Sequence, residues 1–391
     1  MLQRLRHFVE YRTLPDAARD ALRRDRQGLR PDPGSAVFID TAMAWLARAQ
    51  DCSATADGGV ARDYSLIRGW ASSYPETTGY IVPTFLDYAR FSATEEPRRR
   101  AARMLDWLLS IQFADGAFQG GRIDASRKVP VIFNTGQILI GLARGVAAFG
   151  EHYRPAMRKA AGWLVAAQDP DGCWRKFPTP FARPGVKAYE THVAWGLLEA
   201  ARLEPEAGYG EAGLRNVRWA LTQQQDNGWI ANCCLNDPAR PLTHTLGYAL
   251  RGVVEAHRFA ADPAFLAAAR RTADGLLSAQ DPAGGLPGRL RPDWSAAAPW
   301  ACLTGIVQIA WCWLYLYQAT GEVRYRDAGF KANAFVRRTV DITGSPDQAG
   351  GVKGSFPVDG DYGRFEYLNW AAKFAIDSHL LELELRHAAA P

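Results

Sequence analysis

The sequence predicts an all-α fold, an (α/α)6 toroid in which six inner helices stand inside six outer ones. Three observations carry that prediction. A short phrase recurs at a fixed spacing, helices of two kinds alternate along the chain, and the loops between them are rich in Gly, Pro and Asp. Such loops leave room for strands only as short hairpins.

The phrase is a glutamine ending a helix, a spacer, then Gly and a large apolar residue. It reads Gln112-Phe-Ala-Asp-Gly-Ala-Phe118, Gln168-Asp-Pro-Asp-Gly-Cys-Trp174, Gln224-Gln-Asp-Asn-Gly-Trp229 and Gln280-Asp-Pro-Ala-Gly-Gly-Leu286. Each copy begins 56 residues after the last. A fixed period means that one supersecondary unit is copied. Gly after Asp or Asn supplies a positive-φ turn, the aromatic folds back over the helix end, and the glutamine amide satisfies orphan carbonyls.

The first kind of helix ends at this glutamine: 36–50, 97–112, 155–168, 211–224 and 263–280, with 323–339 lacking it. Met104, Leu105, Leu108 and Ile111 show its spacing, a single apolar stripe with Arg and Lys opposite. Proline near several starts suits the first turn. The second kind, 77–88, 134–148, 190–203, 243–257, 302–317 and 369–386, is apolar nearly all round. A helix apolar on every side is buried on every side, which makes these the inner ring. Residues 1–391 are therefore expected to form a single toroid domain, with 1–35 as an N-terminal helical extension.

Composition excludes several classes. The net charge of +5, from 46 basic against 41 acidic residues, is dispersed. The basic runs near 22–30 and at Arg98-Arg-Arg100 lack aromatic interleaving, so no nucleic-acid partner is expected. No stretch reaches the roughly 18 apolar residues of a membrane span; the best, 306–317, is short and carries Gln308. Residues 1–27 lack the apolar core of a signal peptide. Six scattered cysteines, with Cys233 and Cys234 vicinal and no Cys-x-x-Cys, point to a reduced, cytoplasmic protein. No cofactor-binding signature is found, and no metal is expected, since Cys233, Cys234 and His244 are poorly spaced for zinc. Oligomeric state is not readable.

The repeated phrase resembles the QW motif, Gln-x-x-x-Gly-x-Trp, of the terpenoid-cyclase and protein-prenyltransferase toroid superfamily. Gln168 to Trp174 matches it fully and the other copies partly. The resemblance implies the toroid architecture; in that superfamily the motif is structural, so it carries fold and not catalysis.

Aligning the inner helices on their first turn gives the column Thr78, Thr135, Thr191, Thr243, Thr304, Asn369. These read as N-caps, placing their neighbours at one rim of a central cavity where helix N-termini suit an anionic ligand. His192 and His244 stand where other repeats have Gly. They are candidate catalytic residues together with Glu76, Glu190, Tyr74 and Tyr189, although a buried histidine or a dipole-complementing glutamate needs no function. Asn134, Trp70, Tyr80, Trp294, Tyr367, Asn369, Trp370 and Lys373 are candidate substrate-binding residues. The glycine-rich loop 350–362 reads as a solvated surface loop in preference to a lid.

Three functions remain open. The first is a carbohydrate-active enzyme with a saccharide substrate, its aromatic rim stacking sugar rings. The mixture of His, Tyr, Glu and Asn is similar to that of (α/α)6 polysaccharide lyases and sugar epimerases, and such toroids are similar to proteins of bacterial polysaccharide biosynthesis. His192 or His244 would then be base, a tyrosine its partner acid, and Asn134 or Lys373 would hold the developing anion. Glu76 and Glu190 as a hydrolytic pair are the variant. The second is isoprenoid chemistry, which the QW resemblance implies. However, the Asp-x-Asp-Asp acid of class II cyclases is absent, with Asp359-Gly-Asp361 its nearest fragment. The third is a non-enzymatic binding scaffold.

Overall fold

A computed structural model describes residues 13–388. A short α1 (Asp16–Arg26) precedes twelve alternating helices. In chain order these are outer α2 (Ser35–Asp51), inner α3 (Pro75–Ser92), outer α4 (Glu96–Ile111), inner α5 (Ile132–Phe149), outer α6 (Arg154–Ala167) and inner α7 (Thr191–Leu203). Then come outer α8 (Tyr209–Leu221), inner α9 (Thr243–Ala260), outer α10 (Pro263–Ser278), inner α11 (Leu303–Thr320), outer α12 (Val323–Arg337) and inner α13 (Asn369–Ala388). Each inner helix packs on the next and α13 returns to α3, so the inner ring closes. This is the (α/α)6 toroid that the alternation predicts.

The two settings follow from sequence. Outer α4 buries only Pro97, Ala101, Met104, Leu105, Trp107 and Leu108, one stripe of its surface. Inner α5 buries every residue from Ile132 to Ala143. By length and composition α5, not the stretch 306–317, is the one helix among the described residues apolar enough to cross a membrane, and 78% of it is buried inside the protein. Inner helices approach closely because glycines face them: a Cβ on Gly79 would lie 2.4 Å from Ile138 Cα, and one on Gly141 2.2 Å from the Gly79 carbonyl oxygen.

The repeated glutamine does more than cap its own helix. Gln168 Nε2 donates to the Gly172 carbonyl in its turn at 3.0 Å and to Ala212 on the next outer helix at 3.0 Å. Gln112 does the same to Gly116 and Ala156, and Gln280 to Gly284 and Ala328. The phrase is a rivet between neighbouring repeats, with Trp174 folded back so that Nε1 donates to Leu164 at 2.9 Å. The turn glycine is obligatory: Gly228 has φ +81, and a Cβ there would meet the Arg271 carbonyl oxygen at 2.2 Å.

The threonine column differs from its expected role. None of α3, α5, α7, α9 and α11 has a side-chain N-cap. Thr78 lies inside α3, donating back to the Tyr74 carbonyl at 2.9 Å and accepting from Val60 N–H at 3.0 Å. Thr135 donates to Val131 and accepts from Phe118 N–H. Threonine suits this work as well as capping, because its hydroxyl both donates and accepts. These threonines tie incoming loops to inner helices.

The strands do more than close local hairpins. β1 (Asp63–Ser65) pairs antiparallel with β2 (Gly69–Trp70) and also with β5 (Glu366–Leu368), with Tyr64 opposite Tyr367. β3 (Ala301–Cys302) pairs with β4 (Ser355–Phe356). The loop 350–362 is largely buried, contrary to its reading as solvated surface. Asp25 of α1 fastens it, pairing with Lys353 and accepting from Val358 N–H at 2.8 Å. Of the expected extension, residues 1–12 lie outside the described residues.

Candidate active site

At the end of the ring where the inner helices begin, a cavity of about 810 Å³ opens. α3 supplies Glu76 and Thr77, with Tyr74 just before it; α5 supplies Phe133 and Asn134, and α9 supplies His244, Thr245 and Tyr248. Tyr189 leads into α7 and Trp370 sits in the first turn of α13. Loops complete the wall with Arg62, Asp63, Trp70, Arg122, Phe181 and Tyr362. The surface is aromatic with a few convergent polar groups, the usual make-up of a small-molecule site.

Glu76 is the wall carboxyl that burial perturbs. Its Oε2 accepts from Asn134 Nδ2 at 2.9 Å, and Asn134 is only 2% exposed. Desolvation pushes the carboxyl up to about 8, with Arg62 pulling weakly the other way. Arg62 is committed elsewhere, to Asp63 at 2.5 Å and Glu366 at 3.2 Å, and its guanidinium lies 5.2 Å from the Trp370 ring centre. Burial, and then the neighbouring Glu76 carboxylate, raise the phenols of Tyr74 and Tyr248. Near neutrality the cavity holds a protonated carboxylic acid ringed by protonated tyrosines.

His244 is pushed the opposite way. Burial lowers it to about 4, so it is neutral near pH 7. Its Nδ1 lies 2.9 Å from Gln308 Oε1. In the tautomer that donates Nδ1–H to this oxygen, Nε2 keeps its lone pair. The ring packs on Tyr248 and Tyr362, at 4.3 and 5.2 Å between centroids. A neutral imidazole and a neutral carboxylic acid thus share one cavity.

The structure divides the other sequence candidates. Tyr74, Tyr189, Asn134, Trp70 and Trp370 line the cavity with Glu76 and His244. His192 does not: it is fully buried, with Nδ1 2.5 Å from Gln137 Oε1, and burial holds it well below the usual imidazole range. It belongs to an aromatic layer across the ring with Tyr80, Tyr248 and Phe374. Tyr80 is in the same layer, its hydroxyl 3.4 Å from that of Tyr248. Glu190 is buried and raised to about 8 by desolvation, yet it does not line the wall.

Trp294 sits by an outer helix against Trp229, its Nε1 donating to Asn227, so it is packing and not rim. Tyr367 is buried in β5 beside Tyr64. Asn369 is spent on closure, donating to the Ala61 carbonyl and to Thr77 Oγ1 at 2.8 Å each. Lys373 faces a different cavity on the other side of the aromatic layer. Cys233 donates to the Thr245 carbonyl instead of meeting His244.

Sequence reasoning missed Arg62, Asp63, Phe133, Tyr248 and Tyr362. Tyr248 is legible, being four residues after His244 and so on the same helix face. Arg62 and Asp63 arrive through β1, and Tyr362 through a loop read as solvent-facing; no periodicity marks any of them.

The cavity stands at one mouth of a closed double ring. The chain is an α/α toroid. Residues 74–260 match the family description "Squalene-hopene cyclase C-terminal domain". Comparison with curated proteins finds no match. Among solved structures the toroid is similar to an unsaturated glucuronyl hydrolase specific for heparin, at 13% identity, with 90% of this chain and 97% of that chain covered and a TM-score of 0.72. It is similar to a D-mannose isomerase at 12% identity, 90% and 97% coverage and a TM-score of 0.71. Cellobiose 2-epimerase from Bacillus thermoamylovorans is another, at 11% identity, 94% and 98% coverage and a TM-score of 0.66. At these identities the likeness establishes the architecture.

Proposed function

We propose that the chain is a carbohydrate-active enzyme that moves protons on a saccharide held in the cavity between α3, α5 and α9. Glu76 acts as the acid and His244 Nε2 as the base. The observation that carries this reading is the opposed perturbation of the two groups: at neutral pH the carboxyl keeps its proton and the imidazole is free to take one. Groups whose environments push them apart in this way suit paired acid–base work. Trp70, Trp370 and Tyr189 offer faces for sugar rings. Asn134 orients Glu76 and provides an amide donor beside it. The names of the similar structures, a glucuronyl hydrolase, a mannose isomerase and a cellobiose epimerase, support a saccharide substrate.

The chemistry would place a C–H next to a sugar carbonyl near His244 Nε2, while Glu76 protonates or hydrogen-bonds the oxygen that becomes negative. Hydrolysis by a Glu76–Glu190 pair is less supported, because Glu190 does not reach the wall. The second cavity carboxylate, Asp63, is held by Arg62. An isoprenoid reading draws on the match over 74–260. The aromatic wall alone would suit carbocations, but Arg62 brings a fixed positive charge into it and the Asp-x-Asp-Asp acid is absent. The six free cysteines fit a reducing compartment, and we place the protein in the cytoplasm as one toroidal unit.

The test is hydrogen exchange. The protein is incubated in D2O with mannose, cellobiose and glucuronate-ended oligosaccharides, and deuterium on carbon and any new reducing ends are read by mass spectrometry. Exchange that disappears in Glu76→Gln and His244→Gln supports the reading. New reducing ends without exchange would move the assignment to hydrolysis, and a silent panel would remove the saccharide assignment.

A further inference from the structure

The toroid has a second cavity, of about 980 Å³, at the opposite mouth where the inner helices end. The aromatic layer around His192 separates it from the first. Its wall carries Arg251, Arg144, Arg258 and Lys373 among aromatic side chains. Helix C-termini favour cations, which accounts for Arg90, Arg202 and Arg258 in the last turns of α3, α7 and α9. It does not account for the setting of Arg251.

Arg251 is only 6% exposed. Its guanidinium carbon lies over two indoles, 4.3 Å from the Trp195 ring centre and 3.3 Å from that of Trp311. Nε donates to Glu255 Oε1 at 2.7 Å. Among the described residues, Nη1 and Nη2 have no hydrogen-bond partner, and neither is sealed from the cavity. Both donors of this largely buried guanidinium therefore face the cavity, where solvent or a ligand accepts from them. With six Arg and Lys side chains in the wall against Asp87, Glu199, Asp377, Glu384 and the adjoining Glu255, the local charge leaves one cation in excess. Glu255 is shared by Arg251 and Arg258, and Asp87 by Arg90 and Arg144. Asp377 is taken by Lys373, itself 1% exposed, and Glu199 holds Trp195 Nε1 at 3.1 Å.

We propose that this second cavity binds a small molecule through an oxyanion, a carboxylate, sulfate or phosphate seated on Nη1 and Nη2 of Arg251. Contact with the two indoles and the Nε bond to Glu255 restrain the guanidinium, so the pair of donors is preorganised for a two-oxygen acceptor. Phe91, Tyr315 and Trp311 offer apolar wall for the organic part of the ligand. The proposal is independent of the acid–base reading of the first cavity.

Calorimetric titration with inorganic phosphate, sulfate and acetate, at constant ionic strength, tests it. The expected result is saturable binding of at least one of these anions, weakened about tenfold or more in Arg251→Gln through loss of charge-assisted bonds, and unaffected by Asn134→Ala in the first cavity. Acetate alone would assign a carboxylate, phosphate or sulfate alone a tetrahedral oxyanion, and all three the shared oxyanion chemistry. No anion binding, equal binding by Arg251→Gln, or loss in Asn134→Ala would overturn the proposal. Should the Arg251 variant not fold, selenate soaked into crystals of the unaltered protein decides by anomalous scattering. A peak within hydrogen-bond distance of the Arg251 Nη atoms supports the site, and an empty cavity overturns it.

Discussion

Glu76 and His244 line one cavity, and desolvation moves both by the same rule. Each is driven toward its neutral form, which means upward for the acid and downward for the base. The proton-transfer reading then fixes a pH profile. Below about 4 His244 gains a proton and is lost as a base; above about 8 Glu76 loses its proton and is lost as an acid. We expect kcat/KM on a responsive sugar to be bell-shaped with those limbs. Glu76→Gln should cut kcat by roughly 10²–10⁴ and erase the alkaline limb from the residual rate. An alkaline limb that survives the substitution assigns the acid role to another group. Asn134→Ala should shift that limb without removing it, because Asn134 acts through Glu76.

At the scale of the element, the riveted turns decide how repeats stay in register. Gly350 takes the place of the turn glycine in the last unit: φ is +82, and a Cβ would lie 2.1 Å from the Thr41 carbonyl oxygen on α2. Gly208 has φ +77, but a Cβ there would meet nothing within 4 Å, so it serves as a control for backbone strain alone. Gly350→Ala should cost roughly 2–3 kcal/mol and Gly208→Ala about 1 kcal/mol, read as urea midpoints at unchanged slope. Equal costs would mean that the α2 contact yields freely. The helices are legible because the 56-residue phrase and the two apolar patterns agree at every copy. Thr78 and Thr135 mislead because a hydroxyl one turn inside a helix leaves the same sequence trace as one at its start. Half of the cavity wall is legible for a similar reason: Glu76, Asn134 and His244 sit in the repeat register. Arg62 reaches the wall through a pairing with Glu366, 304 residues away, and no local pattern announces it.

For the whole molecule, burial of titratable groups ties stability to pH. Glu76 and Glu190 are raised to about 8 from 4.5, so the stability they contribute is whole below 4.5 and is lost as pH rises through 8. His244 and His379 are lowered to about 4 from 6.5, and burial lowers His192 in the same direction. Their contribution is whole above 6.5 and is lost as pH falls through 4. The two sets oppose each other between 4.5 and 6.5, and above that only the glutamates act. Thermal midpoints should therefore decline from about pH 6.5 to about pH 8, and Glu190→Gln should flatten the decline. A decline that is unchanged in this variant would show that Glu190 ionises as easily folded as unfolded.

The pairing of β1 with β5, and of α13 with both α2 and α3, has a consequence for how such a protein can change. An open stack of hairpins can gain or shed a unit at either end and keep its interior. A hoop with six staves has no end unit. One stave more would widen the bore, and one fewer would close it over the aromatic layer. Variation in what the bore accepts is thus confined to side chains pointing inward and to the loops at the two mouths. The number of hairpins is locked by circumference, and the chemistry is free to differ between the two openings.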